Sequence, residues 1–406
     1  MSLIASFDEF VPQLRAFMTR TQEQPVAEAE LDAEFNRLAA ALFALQRDAV
    51  PIYGKFCAKR NVSAVRDWRE IPALPASAFK EYDVTSLPPA ERTHVFHSSG
   101  TTRHIPSRHF HNAQSLAVYE ESLRPWFRRH FLGLQSSHGS TESRPTVTSG
   151  PQSSARSADS TCSVAPLAQS ENSQFAIRNS QLLVLTPSAA AAPHSSLAHM
   201  FETVRGEFSR ALFTGRVDGE GAWALDLAQT AAALEEAQSA RQPVALLGTA
   251  SSFVHLLDHC RAGQTRYRLA AGSRALETGG YKGRGRATPK GELRQMMTRW
   301  LGIPQSHILG EYGMSELSSQ AYDRVLPETG VGFRFPPWAR ARIISPETGR
   351  EAAEGETGMV QVIDLANVRS ALAVQTEDLA LRRGEGFELT GRAAGVAARG
   401  CSLLLE

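Results

Sequence analysis

The chain has 406 residues, of which 42% are hydrophobic, so it can bury a large core. Its 43 Lys and Arg residues nearly balance its 42 Asp and Glu residues, which leaves a formal net charge of +1. This balance excludes the strong basic field with which proteins attract nucleic acid or anionic membranes.

The amino-terminal stretch argues for a cytoplasmic protein. Asp8 and Glu9 interrupt the region where a signal peptide needs an unbroken apolar core, and no stretch reaches the roughly 18 apolar residues of a membrane span. The cysteines form no CxxC pair, so neither a disulfide framework nor a zinc site is indicated. They are Cys57, Cys162, Cys260 and Cys401.

The first ninety residues are predicted to be mainly helical. Apolar residues recur at three- and four-residue steps from Leu31 to Ala49, which predicts one buried stripe on a long helix. Pro72 and Pro75 then force an extended crossing toward a short strand at 93–98. A helix over 112–131 follows. Residues 134–181 form a Ser-rich tract with few large apolar side chains, which predicts a disordered insertion.

Strands and helices alternate after this insertion. This rhythm predicts a layered α/β domain with a substantial parallel component. Beyond Gly332, short turn-bounded segments predict the antiparallel strands of a smaller sheet or barrel. The predicted strands before Gly332 are 181–188, 243–248, 267–273 and 306–313. The predicted helices are 195–204, 225–241, 251–260 and 290–302, the last capped near Thr288 with Pro289 in its first turn.

A loop rich in hydroxyl groups follows the strand at 93–98. Its side chains and backbone N–H groups can hold phosphate oxygens, and its glycine admits a close backbone approach. The loop is not a Walker A motif because no Gly-Lys-Ser/Thr follows. By itself it is as well explained by an ordinary turn. Its residues are Ser98, Ser99, Gly100, Thr101 and Thr102.

Two further stretches carry candidate chemistry. Glu311, Tyr312, Ser315 and Glu316 lie at the carboxyl end of a buried strand, where α/β sheets place their ligands. There a carboxylate can hold Mg²⁺ and a tyrosine ring can stack on a base. A serine hydrolase is disfavoured because Leu317 stands where the nucleophile elbow GxSxG needs glycine. Farther along, Asp378 follows a predicted strand and Arg392 ends the next; alone, they would be an ordinary surface ion pair.

In this order, the three stretches resemble the motifs of the adenylate-forming superfamily. "SSGTT" is similar to its phosphate loop, "EYGMSE" to its Tyr-Gly-x-Thr-Glu motif, "TED" to its Thr-Gly-Asp motif and "GR" to the start of its hinge. Other segments resemble one branch, the acyl-protein synthetase of the bacterial bioluminescence fatty-acid reductase complex. They are "IPALPASAFK", "SRHFHN", "ETGGYKGRGR" and the terminal "GRAAGVAARGCSLLLE".

The resemblance implies a fold and a reaction. The expected architecture is the α/β large domain of these enzymes, over residues 1–394, with layered α/β subdomains and a small antiparallel β subdomain. The tail 395–406 would be a truncated hinge, and the small carboxyl-terminal domain with its lysine would be lacking. With ATP and Mg²⁺, the enzyme would convert a carboxylic acid, expected to be fatty, into an acyl-adenylate. The acyl group would pass to a cysteine thiol and then to a reductase or carrier protein.

The resemblance also implies roles for individual residues. The loop Ser98 to Thr102 would wrap the β- and γ-phosphates, and Gly248 to Phe253 would wall the acyl pocket. Within the second motif, Tyr312 would stack on adenine, Ser315 would lie near the α-phosphate beside Gly313, and Glu316 would ligate Mg²⁺. Asp378 would accept the ribose hydroxyls. The remaining implied contacts are Gly279 and Gly280 facing adenine and Arg392 beside ribose and phosphate.

The chain departs from the superfamily pattern near its end. Gly395 stands where the hinge aspartate is expected, which argues against a mechanism by rotation of a second domain. Because the lysine of that domain would be lacking, another cation must offset the like charges of carboxylate and phosphate. Cys401 is either a structural residue or the acyl acceptor. Two rival functions stay open, a ligase that acylates coenzyme A or a carrier, and a nucleotide-binding scaffold without catalysis. The candidate cations are Lys282, Arg103, Arg108 and Arg392. Structural roles are expected for His94, His97, His104, His109 and His111.

Overall fold

A computed structural model describes residues 4–23, 25–98, 105–134, 180–219, 221–279, 288–324 and 332–393. Within these ranges, no helix combines the length and the apolar character needed to cross a bilayer. The described chain contains one mainly parallel sheet and one mainly antiparallel sheet, together with two short hairpins. The predicted α/β class is therefore confirmed.

Three helices begin the chain: α1 (Phe7–Glu23), α2 (Glu28–Ala49) and α3 (Pro51–Lys59). The predicted stripe of α2 is confirmed at its centre, where Phe35, Leu38 and Leu42 are fully buried. One polar residue of α2 is also fully buried: Gln46 donates from Nε2 to the Asn367 carbonyl (2.6 Å) and accepts from the Leu372 N–H (2.8 Å). This amide therefore ties α2 to a loop of the antiparallel sheet.

The extended crossing leads to a hairpin. It contains β1 (Leu74–Pro75) and one short helix that the sequence did not indicate, α4 (Ala78–Glu81). The hairpin consists of β2 (His94–His97) and β3 (Arg108–His111), which pair antiparallel. The predicted strand and the helix that follows the hairpin, α5 (Ala113–His130), are confirmed. An Asn112–Ser115 capping box begins α5 by satisfying two free N–H groups.

The parallel sheet has the order β5-β4-β8-β9-β10-β11, and every strand except β11 runs parallel to its neighbour. Alternate residues of β4 enter two separate apolar clusters, Leu183 on one face and Leu182 on the other. Because both faces are covered, the strands read as continuous apolar runs.

The strands of this sheet are β4 (Gln181–Val184), β5 (Arg210–Phe213), β8 (Val244–Thr249), β9 (Arg274–Thr278), β10 (Ile308–Tyr312) and β11 (Ala321–Tyr322). A separate hairpin between β5 and β8 consists of β6 (Gly215–Val217) and β7 (Trp223–Leu225). The helices are α6 (Ser196–Val204), α7 (Leu227–Ser239), α8 (Ala250–Ala262) and α9 (Lys290–Leu301).

The strand predicted over 267–273 is wrong. This segment is irregular because the N–H groups of Tyr267 and Leu269 bond to the carbonyls of Trp300 and Leu301 at the end of α9. The strand lies in the next five residues, β9, where the last four residues are buried although two of them, Glu277 and Thr278, are polar. Near the start of α9, Pro289 has extended backbone angles and precedes the helix rather than occupying its first turn.

The antiparallel prediction for the last segment is confirmed. Its strands are β12 (Ala339–Ile344), β13 (Thr357–Asp364), β14 (Ala373–Arg383) and β15 (Gly386–Arg392), in the order β12-β13-β14-β15. In addition, β1 pairs with β14 in parallel. The largest apolar cluster joins this sheet to α1, α2 and α3.

Candidate functional site

The site candidates gather where the carboxyl edge of the parallel sheet meets the antiparallel sheet. Tyr312 ends β10, and its ring lies 5.3 to 6.2 Å from the rings of Phe333, Phe335 and Phe387. The ring is 7% exposed, and its hydroxyl donates to Asp378 Oδ2 at 2.9 Å. Tyr312 therefore bridges the two sheets.

Asp378 lies inside β14 rather than after a strand, which corrects the sequence-based placement. Its pairing partner across the sheet is Arg392 of β15, whose Nε donates to Asp378 Oδ1 at 2.9 Å. Burial lowers the pKa of the Arg392 guanidinium, but the adjacent carboxylate raises that pKa overall. Each oxygen of Asp378 thus accepts one hydrogen bond from the protein: Oδ2 from Tyr312 and Oδ1 from Arg392.

Glu316 lies four residues beyond β10 and is only 4% exposed. Burial raises the pKa of its carboxyl group, while the Ser107 hydroxyl and the positive charges of Lys80 and Arg392 oppose this shift. Glu316 lies in the loop that begins after Tyr312, and Tyr312 contacts Asp378 of β14. Groups of the second and third sequence motifs are therefore brought together by the fold.

The backbone around Glu316 is held from outside its own loop. His109 on β3 contacts the Ser315 carbonyl through Nδ1 at 2.9 Å, so that nitrogen carries the proton. Asn367 donates from Nδ2 to the Glu316 carbonyl, also at 2.9 Å. Burial lowers the pKa of His109 to about 4, so the ring is neutral at physiological pH and acts as a fixed donor.

Asp364, at the end of β13, anchors the following residues of the same loop. Its carboxylate accepts from the backbone N–H groups of Ser318 (2.9 Å) and Ser319 (2.8 Å) and from the Ser319 hydroxyl (2.7 Å). Sequence reasoning missed Asp364, Asn367 and His109 as site residues. The available signal was two polar residues inside the apolar run "VIDLANV".

Gly313 lies so close to a neighbouring side chain that a larger residue would displace it. A Cβ atom at this position would lie 2.4 Å from Oε1 of Glu311, so any other residue would displace that carboxylate. Glu311 is buried and accepts a hydrogen bond from Thr278 at the end of β9. Burial raises the pKa of Glu311 to about 7, and the nearby Glu277 contributes in the same direction.

Ser98 closes the neck of the predicted phosphate loop. Its hydroxyl accepts from the Ser107 N–H (2.9 Å), and its own N–H donates to the Ser107 carbonyl (3.2 Å). Arg108, a sequence candidate for a free cation, instead forms an ion pair with Asp83 at 3.0 Å. Several predictions concern residues outside the described ranges: Ser99, Gly100, Thr101, Thr102, Arg103, His104, Gly280, Lys282, Gly395, Cys401 and residues 135–179 of the predicted insertion.

Two further sequence candidates lie at the carboxyl ends of β8 and β9. Gly279 follows β9 with a φ of +69°, a conformation that favours glycine. Thr249 ends β8 and caps α8, accepting from the Ser252 N–H at 3.0 Å. Both positions lie on the same sheet edge as Tyr312.

The described cysteines are buried, as are His109 and His111, whereas His94 is exposed. Cys57 and Cys260 are buried, and burial raises the pKa of each thiol to about 11, which leaves little thiolate at neutral pH. His111 is also buried, and burial lowers its pKa. Across the ranges that the structure describes, no three His, Cys, Asp or Glu residues form a group that could hold a metal ion.

Comparisons with known proteins identify the fold. No protein-family model and no curated protein matches the chain. Among solved structures, 2-hydroxyisobutyryl-CoA ligase with 2-HIB-AMP and CoA in an open conformation has a TM-score of 0.58, with 15% identity over 92% of this chain and 77% of that chain. The same ligase in its thioesterification state has a TM-score of 0.60, with 14% identity over 92% and 70%. ATP-bound MatB from Rhodopseudomonas palustris has a TM-score of 0.44, with 14% identity over 76% and 49%, and carries no weight here. At these identities the likeness shows the fold alone, and that fold is the one the sequence motifs predict.

Proposed function

We propose that the protein uses ATP to convert a carboxylic acid into an acyl-adenylate. The observation that carries this proposal is the cluster of Tyr312, Asp378 and Arg392 beside the buried Glu316, at the carboxyl edge of the sheet. The structural match to a ligase whose structures hold 2-HIB-AMP supports the same reaction class.

The Asp378 carboxylate is suited to bind the ribose. A carboxylate offers about four lone-pair sites, and two of them are used by Tyr312 and Arg392. One site on each oxygen is left, which matches the two adjacent hydroxyls of a ribose. Because Tyr312 and Arg392 hold both oxygens, little side-chain entropy is lost on binding.

Glu316 fits the role of a magnesium ligand. Mg²⁺ is typically held by one or two carboxylates together with substrate phosphates, so a single buried carboxylate is sufficient. When bound, the ion would neutralise phosphate charge. Glu316 itself is held ready for this role by the bonds that His109 and Asn367 make to its loop.

In the first step, an oxygen of the substrate carboxylate attacks the α-phosphorus of ATP. The new P–O bond forms as the bond to the leaving pyrophosphate breaks, and no proton is transferred. Because two anions approach each other, fixed positive charge lowers the barrier. Arg392 supplies one such charge, and its contact with Asp378 holds it beside the expected ribose.

For the second step, we propose the thiol of Cys401 as acyl acceptor, on the basis of the terminal-sequence resemblance. The thiolate attacks the acyl carbon, the thioester forms and AMP leaves. A coenzyme A thiol is the second candidate acceptor, since the matched ligase structures contain CoA. If no adenylate forms, the protein is instead a nucleotide-binding scaffold without catalysis.

Acid-dependent exchange of labelled pyrophosphate into ATP tests the first step, using a panel of aliphatic and aromatic carboxylic acids. We expect exchange with at least one acid, and exchange that vanishes when the acid is omitted. ATP binding without exchange across the panel would contradict catalysis and support the scaffold.

The acceptor is tested with the acid that gives the strongest exchange. Intact-mass and peptide analysis should find the acyl group on wild-type protein and on Cys260→Ser, but not on Cys401→Ser. Cys260 is a suitable control because it is buried and its thiol pKa is about 11. Equal labelling of all three proteins removes Cys401 from the proposal. If acyl-CoA forms rapidly and the proteins are not labelled, the coenzyme A ligase is favoured.

A further inference from the structure

Helix α4 is fixed to both halves of the candidate site. Just before it, the Ala76 N–H donates to the Gln375 carbonyl of β14 at 2.9 Å, three residues from Asp378. Within α4, Phe79 is fully buried, and its ring lies 6.0 Å from the His109 ring. His109 in turn holds the Ser315 carbonyl. The next residue of α4, Lys80, is therefore carried on a segment that is packed against the Glu316 loop.

The charge of Lys80 differs from that of the other cations around the site. Arg392 is paired with Asp378 at 2.9 Å, and Arg108 and Arg92 share Asp83 at 3.0 and 2.7 Å. In the described part of the chain, the Lys80 ammonium forms no ion pair. The residue before Lys80, Phe79, contacts the His109 ring, and His109 holds the Ser315 carbonyl next to Glu316. Lys80 thus brings to the site a positive charge that no described carboxylate neutralises at ion-pair distance.

We propose that Lys80 contacts the anion bound next to Glu316, at the point where the substrate carboxylate meets the α-phosphate. This inference rests on the proposed adenylation and names the residue that offsets its like charges. Lys80 is suited to this position because an ammonium group is a compact charge with three donors, which can serve oxygens of two different anions. The step needs no proton transfer from Lys80, since it exchanges one P–O bond for another.

Because Lys80 is half-buried, its charge has a stronger electrostatic effect than that of a cation in solution. Lys80 is neither fully exposed nor fully buried. Its field is therefore screened less than on the open surface, and its position is set before the substrate arrives. Removing one preorganised donor of this kind typically costs 10²- to 10³-fold in kcat.

The test compares Lys80→Met, Lys80→Arg and the control Lys59→Met in acid-dependent pyrophosphate exchange. Lys59 is exposed and, like Lys80, belongs to the last turn of a short helix. We expect Lys80→Met to lower kcat about 100-fold while the KM for ATP changes less than about threefold. Lys80→Arg should recover to within about tenfold of wild type, and Lys59→Met should match wild type. A kcat within threefold of wild type in Lys80→Met would overturn the inference.

A second measurement uses the wild-type protein, so it does not depend on the folding of a variant. Amines are modified with a limiting acylating reagent, and the modified peptides are quantified by mass spectrometry. ATP, Mg²⁺ and the preferred acid should protect Lys80 at least fivefold and leave Lys59 unprotected, whereas equal modification with and without substrates would contradict the proposal. If wild type shows no exchange with any acid, the adenylation proposal fails and this inference fails with it. If wild type exchanges normally and Lys80 is neither needed nor protected, only the lysine inference fails.

Discussion

At the scale of single residues, the candidate site is a set of polar groups that hold one another in place. Tyr312 and Arg392 each donate to one oxygen of Asp378, and neither of them is adjacent to Asp378 in sequence. Hydrogen bonds to a charged group contribute about 1.5–3 kcal/mol, more than neutral ones. The geometry of the carboxylate is therefore set in the protein itself.

Replacing Tyr312 with Phe removes the donor to Asp378 Oδ2 and keeps the aromatic packing. We expect ATP affinity to fall about tenfold, because the carboxylate becomes free to rotate, and stability to fall by about 1–2 kcal/mol. Isothermal titration with ATP and urea unfolding measure the two effects. Tyr267→Phe, a change at a buried tyrosine before β9, is the control and should leave ATP affinity unchanged.

Replacing Glu316 with Gln should separate activity from stability. Exchange should fall at least 100-fold, since the amide cannot replace a carboxylate as a magnesium ligand. Stability at pH 7 should be equal to or higher than that of wild type, because burial raises the pKa of Glu316 and its charged form is costly. An inactive variant that also unfolds at much lower urea concentration would contradict this separation.

At the scale of elements, the loop between β10 and β11 belongs to both sheets. It begins at the parallel sheet, yet its backbone is bonded by Asp364 and Asn367 from the antiparallel sheet. Ser122 of α5 joins this junction through the Ser319 hydroxyl (2.9 Å) and the Trp338 indole N–H (2.7 Å). The loop that carries Glu316 is therefore a buried connection between layers.

Replacing Asp364 with Asn should disrupt this junction. Asp364 is fully buried, and both of its oxygens accept hydrogen bonds from N–H or O–H donors. In asparagine an NH₂ group replaces one of these oxygens, so two donors would face each other without an acceptor. We expect a loss of about 2–4 kcal/mol in the free energy of unfolding and a lower exchange rate in the folded fraction. The control Asp258→Asn breaks an exposed ion pair with Arg261 and should cost less than about 1 kcal/mol. Urea denaturation compares them, and equal losses would contradict a special role for Asp364.

At the scale of the whole molecule, the described interior carries four carboxyl groups whose pKa burial raises: Glu277, Glu311, Glu316 and Asp364. Burial raises the pKa of Glu277 and of Glu311 to about 7, although Lys290 and Arg294 act against the shift at Glu277. Asp323, in the same network, keeps a lowered pKa because Lys290 and Arg294 outweigh its burial. These groups link the stability of the entire chain to pH.

The sign of this linkage follows from proton binding. Between about pH 4.5 and 7, the folded protein holds a proton on Glu311 that the unfolded chain has released, so stability falls as pH rises through this window. For Glu311 alone the change is at most about 3 kcal/mol. Glu311→Gln should flatten the curve of unfolding free energy between pH 5 and 8, measured in urea. An unchanged slope in the variant would contradict this prediction.

Much of the fold could be predicted from the sequence because its signals are local. Apolar spacing identified α2 and α5, and continuous apolar runs identified β4, β8 and β10. The strand β9 was missed since its end is polar and an alternating apolar stretch precedes it. Periodicity measures how apolar a segment is, whereas the partner of a segment depends on which other segments pack beside it.

By itself, the sequence determined the alternating α/β architecture, the small antiparallel sheet and the order of the motifs around Tyr312, Glu316 and Asp378. Only the tertiary structure decided that Asp378 faces both Tyr312 and Arg392, that His109, Asp364 and Asn367 hold the Glu316 loop, and that Phe79 of α4 packs against His109. The physical reason is distance along the chain. The contacts that orient a side chain here join residues tens to hundreds of positions apart, and a local pattern of residue types contains no information on which of them the packed layers bring together.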